Sequence, residues 1–179
     1  IAQWDHSLSS WSPLGSGIDD SVLALTVSAT GVNKTYDATT TATVNLSTDA
    51  VGGDNVTADY TSAAFVNKNV GTGKSVSVSG ISIGGADAGN YNLLNTTAST
   101  TANITQKNLT VTATGVNKVY DGNTTATVTL STNKVSGDVV TPAYTTASFA
   151  NKNVGTAKTV SVSGISISGT DAPNYNLLN

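Results

Sequence analysis

The chain has 179 residues and a formal net charge of −3, with 8 lysines, 11 aspartates, no arginine and no glutamate. Cysteine is also absent and histidine occurs once, which excludes disulfides, cysteine-ligated metals and most catalytic groups. The charge argues against a nucleic-acid partner, which needs a basic surface, and no apolar run is long enough to insert into a membrane. We therefore predict a protein that is not an enzyme and needs no cofactor.

The first predicted unit is an N-terminal segment, residues 1–21, without a counterpart elsewhere in the chain. It contains both tryptophans, Trp4 and Trp11. An exposed indole offers a flat apolar face to a sugar ring, so these two residues are candidate ligand-binding residues. The favoured interpretation is a segment that packs over the end of the following unit.

The rest of the chain is a duplication. Leu25–Asp37 returns almost unchanged as Leu109–Asp121, and the same offset holds without insertion to the end. The pattern predicts a first repeat over residues 22–106 and a second over residues 107–179. The second copy stops at Asn179, where the first continues into Thr96–Thr105, so we expect it to lack its last strand and to carry an unpaired edge.

Apolar and polar residues alternate with period two, which indicates half-buried strands. In chain order, the apolar sets of the first repeat are Leu25, Val27 and Ala29; Ala42, Val44 and Leu46; Val56, Ala58 and Tyr60; Val76 and Val78; Ala102 and Ile104. Ile81 and Ile83 fall out of phase with the set before them. A β-bulge at Ser79–Gly80, repeated at Ser163–Gly164, would turn both isoleucines toward the core.

A tyrosine motif lies in the last third of each repeat. Asp87 and Tyr91, like Asp171 and Tyr175, have the spacing found before the sixth strand of immunoglobulin-like sandwiches, where the tyrosine hydroxyl bonds to upstream backbone. We therefore predict an all-β protein of two tandem immunoglobulin-like β-sandwich repeats, the second without its last strand.

A Lys-x-Tyr-Asp element follows the first strands of both repeats. It is Lys34, Tyr36 and Asp37 in the first, and Lys118, Tyr120, Asp121 and Gly122 in the second. With Gly53-Asp54, Asn67–Gly71 and their copies, it resembles the YDG-domain tandem repeats of large bacterial filamentous-haemagglutinin-like surface adhesins. The resemblance implies secretion to the cell surface and a spacing or adhesive role beside further repeats. It offers no catalytic residues.

The first repeat departs from that pattern at Ala38, which stands where the second repeat has Gly122. If this position requires a positive φ, alanine is strained there.

Three kinds of chemistry remain open at the aspartates. The Tyr36-Asp37 and Tyr120-Asp121 pairs more often form turns than ligand sites. Asp54, Asp87 and Asp121 are weak candidates for calcium, because no Asp-x-Asp-x-Asp loop is present. A lysine–asparagine isopeptide bond would need Lys34 or Lys118 beside a buried acid.

The favoured function is a structural stalk, because only a short link, Ile104–Leu109, separates the two repeats and restricts hinge motion. The first alternative is a module that binds carbohydrate or a host protein. The second is a fibre subunit that self-associates by strand addition at the open edge of the second repeat.

Overall fold

The computed structural model describes residues 2–5, 10–13 and 22–178, with side chains described from residue 22 onward. The described chain is nearly all β, and its helical content is two short 3-10 turns, Ala88–Asn90 and Ala172–Asn174. Within these residues, no helix is long and apolar enough to span a membrane. Near the N-terminus, β1 (Ala2–Asp5) pairs antiparallel with β2 (Ser10–Pro13).

The first repeat consists of ten short strands. They are β3 (Leu23–Leu25), β4 (Val27–Val32), β5 (Lys34–Thr35), β6 (Thr43–Thr48), β7 (Thr57–Asp59), β8 (Ser62–Phe65), β9 (Gly71–Ser79), β10 (Ser82–Gly84), β11 (Tyr91–Leu93) and β12 (Thr97–Thr105). Its largest sheet has the order β5-β12-β9-β8, so β12 lies between β5 and β9. The pairs β4-β6 and β7-β10 are antiparallel, and β3-β11 is parallel.

The second repeat follows the same path with fewer strands. They are β13 (Lys107–Gly115), β14 (Val128–Thr132), β15 (Thr141–Ala143), β16 (Thr146–Phe149), β17 (Val160–Ser163), β18 (Ser166–Ser168) and β19 (Tyr175–Leu178). β13 runs antiparallel to β14 and parallel to β19. The remaining pairs are β15-β18 and β16-β17.

The alternating apolar residues face inward as expected. Leu25, Val27, Val76, Val78 and Ile104 are at most 2% exposed, and the other predicted sets are buried or half-buried against them. Strand periodicity therefore identified the core correctly.

The isoleucine pair reaches the core by a different device from the predicted bulge. β9 ends at Ser79, and Gly80 takes a positive φ of 68° before β10 begins at Ser82. Ile81 is buried, and Ile83 packs partly buried against the same core. The chain thus leaves one sheet and joins another, which resets the alternation. Gly164 repeats this break with φ 69°.

Within the described residues, one strand edge of the second repeat has no partner. In the first repeat β9 pairs with β8 on one side and β12 on the other, whereas β17, among the described strands, pairs with β16 alone. Beside it lies a cleft of about 530 Å³ between the Gly115–Tyr120 segment and the Phe149–Val160 stretch. This cleft occupies the place that β12 fills in the first repeat.

The buried residues of the second repeat belong to two separate clusters. Ala126, Val128 and Ala147 form a small cluster of their own. Leu109, Val140 and Tyr175 instead belong to the core of the first repeat. The second repeat therefore completes part of its core against the first repeat. The contact between the two repeats is the candidate functional site.

Candidate functional site

The two repeats are joined without a flexible linker. β12 ends at Thr105 and β13 begins at Lys107, so Gln106 alone separates them. The Gln106 side-chain amide donates hydrogen bonds to the carbonyls of Pro173 (3.0 Å) and Tyr175 (3.2 Å), which fixes the link to the second repeat. A link of one tethered residue leaves little freedom for bending.

A buried carboxylate lies at the centre of this junction. Asp138 is 4% exposed, and its Oδ2 accepts hydrogen bonds from the hydroxyls of Tyr36 (2.9 Å) and Tyr175 (2.7 Å). Its Oδ1 lies 3.1 Å from the Lys68 ammonium. Tyr36 and Lys68 come from the first repeat, and Asp138 and Tyr175 from the second. One aspartate is therefore held by both repeats.

Local structure explains why Asp138 points into the junction. Val135–Asp138 is a turn closed by a backbone hydrogen bond from Asp138 to Val135, and Gly137 supplies the positive φ (90°) that such a turn requires. The Val135 backbone N–H also donates to the Tyr175 hydroxyl at 2.8 Å. The tyrosine hydroxyl thus bonds to backbone 40 residues upstream, in the Val135–Asp138 turn, whereas the tyrosine corner of immunoglobulin-like sandwiches bonds to backbone only a few residues away.

Tyr36 is positioned by the last strand of its own repeat. β5 pairs parallel with β12, and the Tyr36 backbone N–H then donates to the Thr105 carbonyl at 2.8 Å. The Tyr36 ring meets the Tyr175 ring edge to face, with centroids 5.5 Å apart and planes at 74°. This is a favourable arrangement for two aromatic rings.

The rim of the junction adds polar contacts. Lys68 forms a second ion pair with Asp171 at 2.8 Å. The Val70 backbone N–H donates to Asn174 Oδ1 at 3.0 Å, and the Asn174 amide lies 3.4 Å from Asn69 Oδ1. Every buried side-chain polar atom in the described residues has a hydrogen-bond partner, so the interface carries no uncompensated group.

The junction also shifts the ionisation of its members. Burial would raise the pKa of Asp138, but hydrogen bonds from Tyr175, Lys68 and Tyr36 outweigh it and leave the pKa below its ordinary value. Burial and the hydrogen bond to Asp138 raise the pKa of Tyr175 to about 12. Bonding to Asp171, Tyr36 and Asp138 raises the pKa of Lys68. The aspartate is therefore charged and both tyrosines are neutral at ordinary pH.

The Lys-x-Tyr-Asp elements make turns in both repeats. Asp37 accepts the Thr39 backbone N–H at 2.9 Å and the Lys34 ammonium at 2.8 Å. Asp121 bonds in the same way to the Asn123 backbone N–H (3.1 Å) and to Lys118 (2.8 Å). The turn interpretation accounts for these contacts. The acids are about half exposed, unlike the buried acid that an isopeptide bond requires.

The three calcium candidates do not converge. Asp54 accepts the Tyr91 hydroxyl at 2.6 Å, and Asp87 accepts the Asn55 backbone N–H at 2.7 Å on the same face of the first repeat. Asp121 lies in the other repeat, beside Lys118. Within the described residues, no three acidic or histidine side chains form a group that could hold a metal ion.

The tryptophan candidates fall mostly outside the described structure. The backbone register of β1 and β2 places Trp4 directly opposite Trp11, but their side chains lie outside the described residues. A sugar-binding role for these residues therefore stays a prediction.

Comparison with known families matches the YDG domain twice, over residues 21–102 and 105–179. The chain belongs to the YDG domain family. No curated protein and no solved structure matches it. Both YDG repeats contribute to the junction, since Tyr36 of the first YDG motif donates to Asp138 of the second repeat.

Sequence reasoning identified several junction residues without their roles. The sequence places Tyr36, Asp171 and Tyr175 in structural motifs, whereas Lys68 and Asp138 lie only within segments that match between the repeats. Asp54 and Asp138 are equivalent by sequence, and the difference between them arises from docking. The available signal in the sequence is that Lys68 and Asp138 are charged residues in a chain with few charges.

Proposed function

We propose that this chain is a structural stalk segment of a secreted bacterial surface protein, of the filamentous-haemagglutinin-like adhesin class, and that it acts without catalysis. The junction carries the proposal. A single linking residue, a shared buried aspartate and a continuous apolar core are features that hold two domains at a fixed angle. A spacer needs this property, whereas a flexible pair of binding modules does not.

The test compares two equivalent aspartates. Asp138→Ala removes the buried partner of the Tyr36 and Tyr175 hydroxyls and of the Lys68 ammonium. The contact between the repeats should then lose about 3 kcal/mol of free energy. Small-angle scattering should then show a broader distribution of inter-repeat distances.

Asp54→Ala is the matched control, because Asp54 has the same position in the first repeat but is exposed. It should leave the distance distribution unchanged. A stalk is ruled out if the unmodified chain already samples a broad range of bends.

The immunoglobulin-like sandwich is also part of the proposal. β4 and the β12 sheet approach closely, with the Gly31 backbone N–H donating to Thr100 Oγ1 at 3.3 Å, and the inward residues of both layers share one core. Two facing layers would bury these inward residues between them. An experimental structure that instead shows a closed barrel would contradict this arrangement.

A second function is favoured by the cleft in the second repeat. Its walls, the Gly115–Tyr120 segment and β17, have backbone edges that correspond to those that pair with β12 in the first repeat. A strand like Thr97–Thr105, which buries Ala102 and Ile104 in the first repeat, would pair with these two edges. We propose that such a strand can be supplied by another molecule, which would make the chain a fibre subunit.

A synthetic peptide with the sequence of Thr96–Thr105 tests this second function. It should bind the full chain with a measurable Kd and increase the protection of β17 amides from hydrogen exchange. A peptide with Ala102→Asp and Ile104→Asp is the control and should not bind, because both positions face the core. Equal binding of the two peptides would rule out specific strand addition.

A further inference from the structure

The first repeat has a second surface that matches one side of the junction. We propose that the face formed by Asp54, Asp87, Asn90 and Tyr91, called here the acceptor face, docks the Tyr-Lys face of another YDG repeat. The Tyr-Lys face is Tyr36 and Lys68 in the first repeat and Tyr120 and Lys152 in the second. This inference rests on the stalk proposal, and it identifies another YDG repeat as the partner of the acceptor face.

The acceptor face is already assembled in the first repeat. The Tyr91 hydroxyl donates to Asp54 at 2.6 Å and accepts the Val51 backbone N–H at 2.9 Å. Tyr175 makes the same two contacts, with Asp138 and Val135, in the second repeat. The carboxylate is therefore pre-oriented before any partner arrives, which lowers the entropic cost of docking.

Burial differs at two of the positions that the junction covers. Asp138 and Asn174 are 4% and 3% exposed, whereas their counterparts Asp54 and Asn90 are exposed. Folding within a repeat does not explain the difference, because the local turns are the same. Docking against Tyr36 and Lys68 does.

The opposite end of the chain shows the complementary difference. Tyr120 is 57% exposed, although its counterpart Tyr36 is only 1% exposed. Val154 is 87% exposed, whereas its counterpart Val70 is half-buried at the junction. Tyr120, Lys152 and Val154 line the same cleft, and they are the counterparts of three residues on the docked face, Tyr36, Lys68 and Val70.

Docking depends on the last strand of the repeat that supplies the tyrosine. Tyr36 is held by its backbone bond to Thr105 of β12, and in the second repeat no described strand pairs with the Val116–Tyr120 segment. Filling the cleft beside β17 would therefore set Tyr120 in the docking position. Because the two faces lie on opposite repeats, the contact is head to tail.

Carbodiimide coupling tests the docking, since it joins a lysine amine to an aspartate carboxylate only where they form an ion pair. The protein is the full chain with Thr96–Thr105 repeated after Asn179, so that the cleft is filled. Lys68 and Asp171 should couple within each molecule, as an internal control. Between molecules, we expect Lys152 to couple to Asp87, the equivalent pair, identified by peptide mass spectrometry.

Two variants sharpen the result. Tyr120→Phe and Asp54→Asn should each lower the Lys152–Asp87 product roughly tenfold, the factor for one lost hydrogen bond to a charged group, and leave the Lys68–Asp171 product unchanged. Circular dichroism checks that both variants fold.

Different results would contradict the docking proposal and the stalk proposal. If Lys152 couples equally to many aspartates, or if neither variant changes the product, the acceptor face is not a docking site. If Lys68 and Asp171 also fail to couple, the junction does not form in solution and the stalk proposal falls with it.

Discussion

Each repeat has one alanine with a positive φ at a position where the other repeat has glycine. Ala38 takes φ 65° where the second repeat has Gly122 at φ 79°, and Ala157 takes φ 49° where the first has Gly73 at φ 58°. Alanine in this left-handed region is unfavourable because its Cβ crowds the backbone. Each repeat therefore carries one strained alanine that its neighbour avoids, as the sequence predicted for Ala38.

Replacing either alanine should stabilise the chain. We expect Ala38→Gly to raise the free energy of unfolding by about 1 kcal/mol, because the strain in the folded state outweighs the extra freedom of glycine in the unfolded chain. The reverse change, Gly122→Ala, should lower it by a similar amount. Urea denaturation measures both, and an opposite sign for either variant would contradict the strain.

At the same scale, the sequence does not distinguish two residues that occupy the same position in the two repeats. Tyr36 and Tyr120 have the same local motif, and so do Asp138 and Asp54. The Tyr36–Asp138 bond joins residues far apart in sequence, and no periodicity indicates which copy is buried. The choice is made by docking, which the pattern within a repeat does not contain.

Among the elements, the strands followed the alternation closely and the breaks did not. Inward faces were predictable because burial selects every second residue along a strand. The change of sheet after β9 was not, because Gly80 replaces a bulge with a complete break. At Gly80 a Cβ would also collide with the Thr61 side chain, so glycine is required there twice over.

Two glycine variants separate these causes. Gly80→Ala should lower the free energy of unfolding by about 3 kcal/mol, since it adds a clash with Thr61 to the strain of a positive φ. Gly73→Ala, at a positive φ but in open space, should cost only about 1 kcal/mol. Thermal unfolding compares them, and equal losses would show that the contact with Thr61 does not matter.

At the scale of the whole molecule, the junction should depend on pH at both extremes. The pKa values of Asp138 and Asp171 lie below their ordinary 3.8, so their contribution is complete above that pH and is lost as the pH falls through the lowered values. The pKa of Tyr175 is raised to about 12, so its contribution is complete below pH 10.0 and is lost as the pH rises toward 12.

We therefore expect a constant angle between the repeats from about pH 5 to 9. Scattering should show the repeats separating below pH 3.8 and above pH 10.0, before either repeat loses its strand signal in circular dichroism. Asp138→Asn should remove most of the acid-dependent change at the junction. A distance distribution that is unchanged at both extremes would show that these ionisations do not hold the repeats together.

The passage from β12 to β13 through Gln106 alone has a mechanical consequence. Tension applied between the two repeats enters β12 lengthwise, and β12 is bonded to β9 along most of its length and to β5 at its end. These hydrogen bonds then bear the load together, in shear, and do not open one by one. We expect the first repeat to yield at a higher force than the second, whose β17 has no strand on its outer side among the described residues.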